Sequence, residues 1–365
     1  MKSLLFFSNP FGYGPTATMI AVLRHFVQLH NIEIFVVAQG LCTEILDHVP
    51  NIHIVNIDQR NITEIKKLIQ QHKEPYIISS LNRFAILAAY ELSIPSCFID
   101  TLTYMWDKIP NDYLKADMYY CSDFPTVKQK TSDHSNAVIT PLIIDIDPNF
   151  TNNVKERKEI IMQLGGLKSP LSALPPTDYL DLVGYILNNT SQNITVTGGK
   201  EGLTYLKKQV AARNINFENL TKNDFLQRLS TAKLCISTPG LNITIESIFV
   251  KTPISFIMPT NLSQWVNHNI FKQCEANGID ITWEDLIEKT LNIEGLPEYD
   301  AIIKINKIAQ RIKNNTSAMN KLKEMFEQTI SSIPDTNRQY NMLLKYGING
   351  AEFIFMDICK KWELN

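Results

Sequence analysis

The chain has 365 residues, of which 44% are hydrophobic and 20% are charged, and its net charge at pH 7 is -2. This length exceeds the usual size of a single hydrophobic core, so two domains of an ordinary globular protein are expected. The near-neutral charge, without a polybasic stretch, gives no indication of a nucleic-acid groove or of binding to an anionic membrane. Six scattered cysteines without a C-x-x-C motif favour buried thiols over disulfides or a zinc site.

The N-terminus, MKSLLFFSNP, carries one lysine and a short apolar run. That run is too short for the apolar part of a signal peptide, and no stretch approaches the ~18 apolar residues of a membrane span. We therefore expect a cytoplasmic protein without a transmembrane segment.

The first half of the chain alternates short apolar strands with helical patterns. Strands are predicted at SLLFFSN, IEIFVVAQ, IHIVNI, PYIISS, IPSCFIDT, MYYCSD and NAVITPLI, and helices at 17–30, 43–47, 62–72 and 82–92. Short strands separated by helices are typical of a doubly wound parallel sheet. We therefore predict a Rossmann-like domain over residues 1–150.

A charged stretch, NNVKERKE, marks the predicted boundary between domains. The alternation then restarts with strands at EIIMQLGG, NITVTGG, INFENL and KLCIST, which predicts a second Rossmann-like domain over residues 151–340. A C-terminal helix within 341–365 is expected to pack back on the first domain. The predicted fold class is α/β with two Rossmann-like domains facing a central cleft, since open sheets bind ligands at the carboxyl ends of their strands.

The loop after the first strand reads NPFGYGPT, residues 9–16. Gly12 and Gly14 allow a ligand to approach the backbone, and the following helix offers free N–H groups to an anion or a sugar. The alternative is a turn that needs glycine only for its shape. Because the second strand ends in FVVAQG without an acidic residue, NAD or FAD binding is disfavoured.

Two further loops follow predicted strands of the second domain. In QLGGLKSP, Gly165 and Gly166 allow a phosphate or sugar to lie against the main chain and Lys168 supplies charge, although a plain turn explains the motif equally well. In the run 236–265, the break at Pro239-Gly240 precedes a helix whose first N–H groups suit a diphosphate.

Glu246 lies one turn inside that helix, where its carboxylate is able to accept two hydrogen bonds from a ribose diol. Its alternative role is a helix-start acid that interacts with the helix dipole. The next strand end, PTNLSQ, offers the amides of Asn261 and Gln264 to sugar hydroxyls, or alternatively caps the helix that follows.

Residues 216–264 together resemble the donor domain of GT-B glycosyltransferases. The likeness is to the branch that holds the N-acetylglucosaminyltransferase of peptidoglycan synthesis and the UDP-glycosyltransferases. It implies that residues 217–220 frame the base, that the turn and helix at 240–246 take up the diphosphate and ribose, and that 259–264 meets the sugar, with the threonine–glutamate spacing shortened here. The donor-binding residues expected are Gly165, Gly166, Lys168, Phe217, Leu220, Gly240, Leu241, Asn242, Thr244, Glu246, Asn261, Ser263 and Gln264.

A fainter likeness, in GYGPTATMIAVLRHF and FIDTLTYMW, is to cytosylglucuronate-synthase-like enzymes of nucleoside antibiotic pathways, which indicates natural product biosynthesis. Many GT-B enzymes of this branch carry a histidine base in the N-terminal loop, and none lies between Met1 and Arg24. Asp100, at the end of IPSCFID, is the substitute carboxylate for the general base, and its alternative role is to cap TLTYMW. The acceptor-side residues expected are Gly12, Tyr13, Gly14, Thr16, Tyr104 and Trp106.

Asp145-Ile146-Asp147 is a D-x-D, which binds a metal in the other glycosyltransferase fold. Because it falls near the domain linker, no metal is predicted, and no cofactor beyond a UDP-sugar co-substrate.

The resemblance implies hexosyl or glycuronosyl transfer from a nucleoside diphosphate donor, with UDP favoured, to a small-molecule or lipid acceptor, with inversion and without a metal. Two alternatives stay open: a nucleotide-sugar epimerase of the same fold and a catalytically inactive nucleotide-sugar-binding partner subunit. The glycine-rich loops contain no histidine, which argues against the epimerase. The usual histidine base of the N-terminal loop is also missing, so the inactive subunit stays an open alternative.

Overall fold

The computed structural model describes residues 1–9, 13–39, 41–46, 49–146, 157–166 and 176–364. The chain divides into two compact units, Met1–Pro148 with Tyr346–Asn365, and Asn149–Lys345. Within the described ranges, no helix combines the length and the apolar character needed to cross a membrane. The six cysteines are free thiols, and four of them are buried.

The first unit is built on a seven-stranded parallel sheet in the order β3-β2-β1-β4-β5-β6-β7. Its strands are β1 (Lys2–Ser8), β2 (Ile32–Val37), β3 (His53–Val55), β4 (Glu74–Ser80), β5 (Ser96–Asp100), β6 (Met118–Ser122) and β7 (Ala137–Thr140). Its helices are α1 (Gly14–Phe26), α2 (Leu41–Glu44), α3 (Ile62–Gln70), α4 (Arg83–Leu92), α5 (Val127–Thr131) and α15 (Gly350–Trp362), with 3-10 turns at Thr103–Met105 and Tyr113–Lys115.

Strand β1 lies inside the sheet, between β2 and β4, and is buried on both faces. Leu4 and Phe6 belong to the core beneath α1 and α15, whereas Leu5 and Phe7 belong to the core beneath α3 and α4. A strand covered by helices on both sides is apolar at successive positions, which explains the run LLFF. The C-terminal helix is therefore an integral part of the first unit's core.

The second unit has a five-stranded parallel sheet in the order β10-β9-β8-β11-β12. Its strands are β8 (Glu159–Gln163), β9 (Ile194–Thr197), β10 (Ile215–Glu218), β11 (Ala232–Ser237) and β12 (Ile254–Phe256). Its helices are α6 (Thr177–Asn188), α7 (Lys200–Gln209), α8 (Lys222–Thr231), α9 (Leu241–Phe249), α10 (Leu262–Gln273), α11 (Trp283–Ile287), α12 (Glu298–Lys313), α13 (Thr316–Ser331) and α14 (Thr336–Tyr346). The strand order reverses between β8 and β11, which is where a doubly wound sheet binds its ligands.

Several helix limits differ from the sequence prediction; helix α1, for example, ends at Phe26 and not at residue 30. Two of the differences have a cause in the backbone. Helix α1 begins three residues before Ala17, since Pro15 has the fixed φ angle that suits a first helical turn. The segment 341–365 holds the end of α14 and all of α15, because Gly347 takes a left-handed conformation (φ 69°) that ends the first helix.

Two glycine loops meet at the carboxyl edge of the second sheet. The Gly199 N–H donates to the Gly165 carbonyl at 2.9 Å. A Cβ atom on Gly199 would lie 2.4 Å from the carbonyl oxygen of Gly166, so only glycine permits this approach of two backbones. The pair fixes the position of the loop after β8 against the loop after β9.

Replacement of Gly199 by alanine tests this close approach. Because the obstructing atoms are backbone, we expect Gly199→Ala to lower the free energy of unfolding by about 1–3 kcal/mol. Gly184→Ala in α6 is the matched control: its new Cβ would meet flexible side chains at 3.4 Å or more, and alanine favours a helix by up to ~1 kcal/mol. Calorimetric melting of both variants is the measurement, and equal stability of the two would contradict the close approach.

Candidate functional site

The loops at the carboxyl edge of the second sheet are joined by hydrogen bonds. Asn219 Nδ2 donates to the Gly198 carbonyl at 3.0 Å, which ties the loop after β10 to the loop after β9. Ser237 Oγ donates to the Gln163 carbonyl at 2.9 Å, which joins the ends of β11 and β8. Together with the contact between Gly199 and Gly165, these bonds connect four successive loops into one surface.

The loop after β11 leads into helix α9 without a capping side chain. Gly240 is the N-cap residue and has no side chain to cap the helix, and no acid lies in the first turn. Leu241 and Asn242 follow as the first helical positions. The start of α9 therefore presents the positive end of the helix dipole, which attracts an anion, and no acid of its own first turn lies beside it.

Thr244 does not offer its hydroxyl to a ligand. The side chain is fully buried, and Oγ1 donates to the Gly240 carbonyl at 2.7 Å. Thr244 was expected from the sequence to take up the diphosphate, and in the structure it closes the first turn of α9 instead.

Glu246 lies on α9 and is almost completely buried (4% exposed). Its carboxylate forms an ion pair with the ammonium of Lys222, the first residue of α8. Lys222 was not anticipated from the sequence, since nothing in the sequence indicates that α8 begins beside α9. The pair joins the loop that follows β10 to the helix that follows β11.

Asn261 and Ser263 serve the start of helix α10. Asn261 Oδ1 accepts the Gln264 N–H and the Ser263 hydroxyl, each at 2.9 Å. Both residues were expected to contact a sugar, and here the capping role that was the alternative from the sequence accounts for the side chain of Asn261.

Gln264 connects the loops after β11 and β12. Its Oε1 atom accepts the Thr260 N–H at 2.8 Å, and its Nε2 atom donates to Thr238 Oγ1 at 3.2 Å. Asn267 Nδ2 adds a second link by donating to the Pro239 carbonyl at 3.0 Å. The starts of α9 and α10 are thereby held next to each other.

Glu298 contributes a carboxylate to the start of α10 and was not anticipated from the sequence. Its Oε1 atom accepts the Leu262 N–H at 3.2 Å, and the Ser263 N–H also bonds to the carboxylate. Burial raises the pKa of Glu298 to about 7, although these two N–H groups favour the charged form. The residue lies 36 positions after Leu262, so no local motif connects the two.

The remaining donor-side residues are placed as follows. Phe217 packs against the core of the second unit, and Leu220 is half-buried just before Thr221, which caps α8. Gly165 has a left-handed conformation and Gly166 lies against Gly199. Lys168 and Gly12 fall outside the described residues.

In the first unit, Thr16 is not available to an acceptor. Its side chain is fully buried, and Oγ1 bonds with Ser8 Oγ and with Cys42 Sγ, each at 3.0 Å. Tyr13 is half-buried and is the N-cap residue of α1, and Gly14 is exposed at the first position of that helix. The acceptor-side loop predicted from the sequence therefore retains Tyr13 and Gly14 at its surface.

Asp100 has the geometry of a structural residue, contrary to the expectation that it is the general base. It is fully buried, and its carboxylate accepts from the Leu102 N–H at 2.7 Å, Trp106 Nε1 at 2.7 Å and Tyr119 Oη at 2.5 Å. Burial raises the pKa of Asp100, and these donors partly offset that effect. With its oxygens occupied and without access to solvent, Asp100 holds the turn at residues 101–106 in place.

The aromatic residues of this turn belong to the same structural unit. Tyr104 is buried against Phe124, with ring centroids 5.2 Å apart, whereas Trp106 is half-buried. Lys130 Nζ donates to the carbonyls of Tyr104 and Trp106 at 2.7 and 2.6 Å. Tyr104 therefore forms core rather than the wall of an open pocket.

The D-x-D motif lies only partly within the described residues. Asp145 forms an ion pair with Arg24 of α1, with 2.8 Å between Oδ1 and Nε, and Asp147 falls outside the described ranges.

Comparison with known proteins gives both a family and a fold. Residues 43–293, more than half of the chain, match the model of glycosyl transferase family 1. No curated protein matches the chain.

Many solved structures are similar to the whole chain, and three of them are described here. MnaA of S. aureus, in a co-structure with UDP, has 14% identity, a TM-score of 0.58 and coverage of 100% of this chain and 97% of its own. UDP-GlcNAc 2-epimerase from Neisseria meningitidis, bound to UDP-GlcNAc, has 13% identity and a TM-score of 0.58. The match covers 99% of this chain and 100% of the epimerase chain. MurG of Acinetobacter baumannii has 12% identity and a TM-score of 0.56, and the match covers 98% of this chain and 99% of the MurG chain.

Identities this low establish similarity of fold alone. The α/β architecture with two Rossmann-like parallel sheets and the resemblance to GT-B proteins, both expected from the sequence, are confirmed. The family match covers α2 to the loop before α12, which includes the starts of α8, α9 and α10. The chain belongs to glycosyl transferase family 1.

Proposed function

We propose that the protein transfers a sugar from a UDP-sugar to a hydroxyl group of a small-molecule or lipid acceptor. The observation that carries this proposal is the start of α9, an uncapped helix at the switch point of the second sheet, next to the buried Lys222–Glu246 pair. An anion-binding helix start beside a carboxylate fits a diphosphate joined to a ribose. Solved structures of similar fold contain UDP or UDP-GlcNAc, which favours a UDP-linked donor.

Stabilisation of the leaving group is the main catalytic contribution that these residues are able to make. As the bond from the sugar to the diphosphate breaks, negative charge develops on the phosphate oxygens. The N–H groups and dipole at the start of α9 are fixed in position before the reaction and stabilise that charge. Hydrogen bonds that tie the α9 and α10 starts together keep the donor positioned for attack by the acceptor.

The finer parts of the proposal rest on the resemblance of residues 216–264 to the UDP-glycosyltransferase branch. They comprise hexosyl or glycuronosyl transfer, inversion at the anomeric carbon and transfer without a metal. Asp100 is not part of the proposed catalytic machinery, because its carboxylate is buried and fully engaged.

Recognition of the ribose by Glu246 is testable with UDP and 2′-deoxy-UDP. A carboxylate that binds both ribose hydroxyls should make the unaltered protein prefer UDP by about 10-fold or more, since a hydrogen bond to a charged group contributes ~1.5–3 kcal/mol. Glu246→Gln should lose most of this preference, whereas Glu324→Gln, at an exposed position on α13, should keep it. Titration calorimetry with both nucleotides measures the ratio, and a preference retained in Glu246→Gln would exclude Glu246 as the ribose ligand.

The structural role of Asp100 gives a second prediction. In Asp100→Asn one of the two acceptor oxygens becomes an NH2 group, which faces either the Leu102 N–H or the donors of Tyr119 and Trp106. Because a donor then meets a donor in either orientation, we expect the substitution to lower the free energy of unfolding by about 1–3 kcal/mol. The fraction of the variant that is folded should keep its affinity for UDP and should consume the donor at the same rate as the unaltered protein. Chemical denaturation together with a donor-consumption assay distinguishes the roles: unchanged stability with abolished turnover would restore Asp100 as the base.

Epimerisation is the second candidate function, since a UDP-GlcNAc 2-epimerase has the same fold. Incubation of the protein with UDP-GlcNAc and no acceptor separates the two activities. We expect the sugar to keep its configuration, as observed by NMR of the anomeric and H2 protons. Accumulation of the 2-epimer would refute the transferase proposal. If the protein binds UDP but consumes no UDP-sugar in the presence of any acceptor extract, it is an inactive binding subunit.

A further inference from the structure

The starts of helices α9 and α10 differ in a way that bears on the donor sugar. Helix α9 begins at a glycine, which has no side chain to cap it, and has no acid in its first turn. Helix α10, by contrast, begins at a position that two side chains of the protein itself occupy. The difference is physical, because an uncapped helix start attracts an anion and one already bound to a carboxylate does not.

Each of the first three N–H groups of α10 has a partner within the protein. Glu298 accepts from Leu262 and from Ser263. Asn261 Oδ1 accepts from Gln264 at 2.9 Å. These are the groups that would otherwise bind a carboxylate or phosphate of a ligand, since they have no partner inside the helix.

The order of elements along the sheet places α10 on the sugar side of the donor. With the ribose at the Lys222–Glu246 pair, the nucleoside lies toward α8 and β10, and the diphosphate lies at α9. The next strand beyond β11 is β12, which leads to α10. The group attached to the far phosphate is therefore directed toward α10, whose start is bound to the α9 loop through Gln264 and Asn267.

Among the described residues, two carboxyl groups bond near the start of α10, and Glu298 is negative above its pKa of about 7. Glu298 bonds to the first turn, and Glu284 Oε1 accepts from the indole Nε1 of Trp265, at the fourth position of the helix, at 3.2 Å. A carboxylate on the sugar would meet two like charges and would find the first-turn N–H groups occupied. Sugar hydroxyls carry no charge and are not repelled. The Ser263 hydroxyl oxygen and the second N–H of the Gln264 side-chain amide are able to form hydrogen bonds with them.

We propose that Glu298 restricts the donor to an uncharged sugar and excludes hexuronates. This inference rests on the proposed function, because it needs a UDP-sugar bound with its ribose at Glu246. It narrows the donor class from hexosyl or glycuronosyl to hexosyl. Glu298 acts by occupying the helix start with a negative charge, and is a specificity-determining residue rather than a catalytic one.

The test compares UDP, UDP-glucose and UDP-glucuronate by titration calorimetry at about pH 8.5, where Glu298 is ionised. We expect the unaltered protein to bind UDP-glucose at least ~10-fold more tightly than UDP-glucuronate. In Glu298→Gln, whose amide oxygen still accepts the N–H groups, the ratio should fall to within about 3-fold, while the affinity for UDP stays unchanged. Glu288→Gln, an exposed residue of the same unit, removes the same charge and should leave the ratio as it was.

The outcomes separate the inference from the function on which it rests. Equal affinity of the unaltered protein for both UDP-sugars would overturn the inference and leave the transferase proposal standing. An unchanged ratio in Glu298→Gln, with UDP binding intact, would do the same. Failure of the unaltered protein to bind UDP or either UDP-sugar would overturn both. Loss of affinity for all three ligands in Glu298→Gln alone would show that Glu298 only supports the fold, and would also overturn the inference.

Discussion

The candidate site depends on one constraint, the need of backbone groups at the carboxyl edge of a parallel sheet to find hydrogen-bond partners. In the second unit they find them in neighbouring loops: Gly199 bonds to Gly165, Asn219 to Gly198, and Ser237 to Gln163. The links from Gln264 and Asn267 extend this network to the last strand. Loops that satisfy one another in this way form a surface of fixed shape, which is what a site that positions reactive groups requires.

Within that surface, the starts of helices α9 and α10 differ in the groups that lie beside their first N–H groups. Helix α9 begins at a glycine and has no acid in its first turn, whereas the first N–H groups of α10 donate to Glu298 and Asn261. One physical property, whether a carboxylate of the protein lies at a helix start, thus underlies both proposals. It favours phosphate at the start of α9 and disfavours a sugar carboxylate at the start of α10.

The architecture was predictable from the sequence because it depends on local patterns. The apolar strands, the glycine loops and the helix start after Pro239-Gly240 all indicate a parallel α/β protein before any contact is known. Residues that act across long separations were not predictable. Lys222 and Glu298 reach the site only because α8 and α12 pack where they do, and Thr16, Thr244 and Asp100 look like ligands in the sequence but are buried in the fold.

The position of α15 has a consequence for biosynthesis. This last helix completes the core beneath β1, and Lys2 Nζ donates to the carbonyls of Trp362 and Glu363, each at 2.9 Å. The first unit is therefore assembled from both ends of the chain, with the second unit inserted between them. During translation, the apolar side of α1 and β1 stays uncovered until α15 has left the ribosome, so the inserted unit is free to fold first.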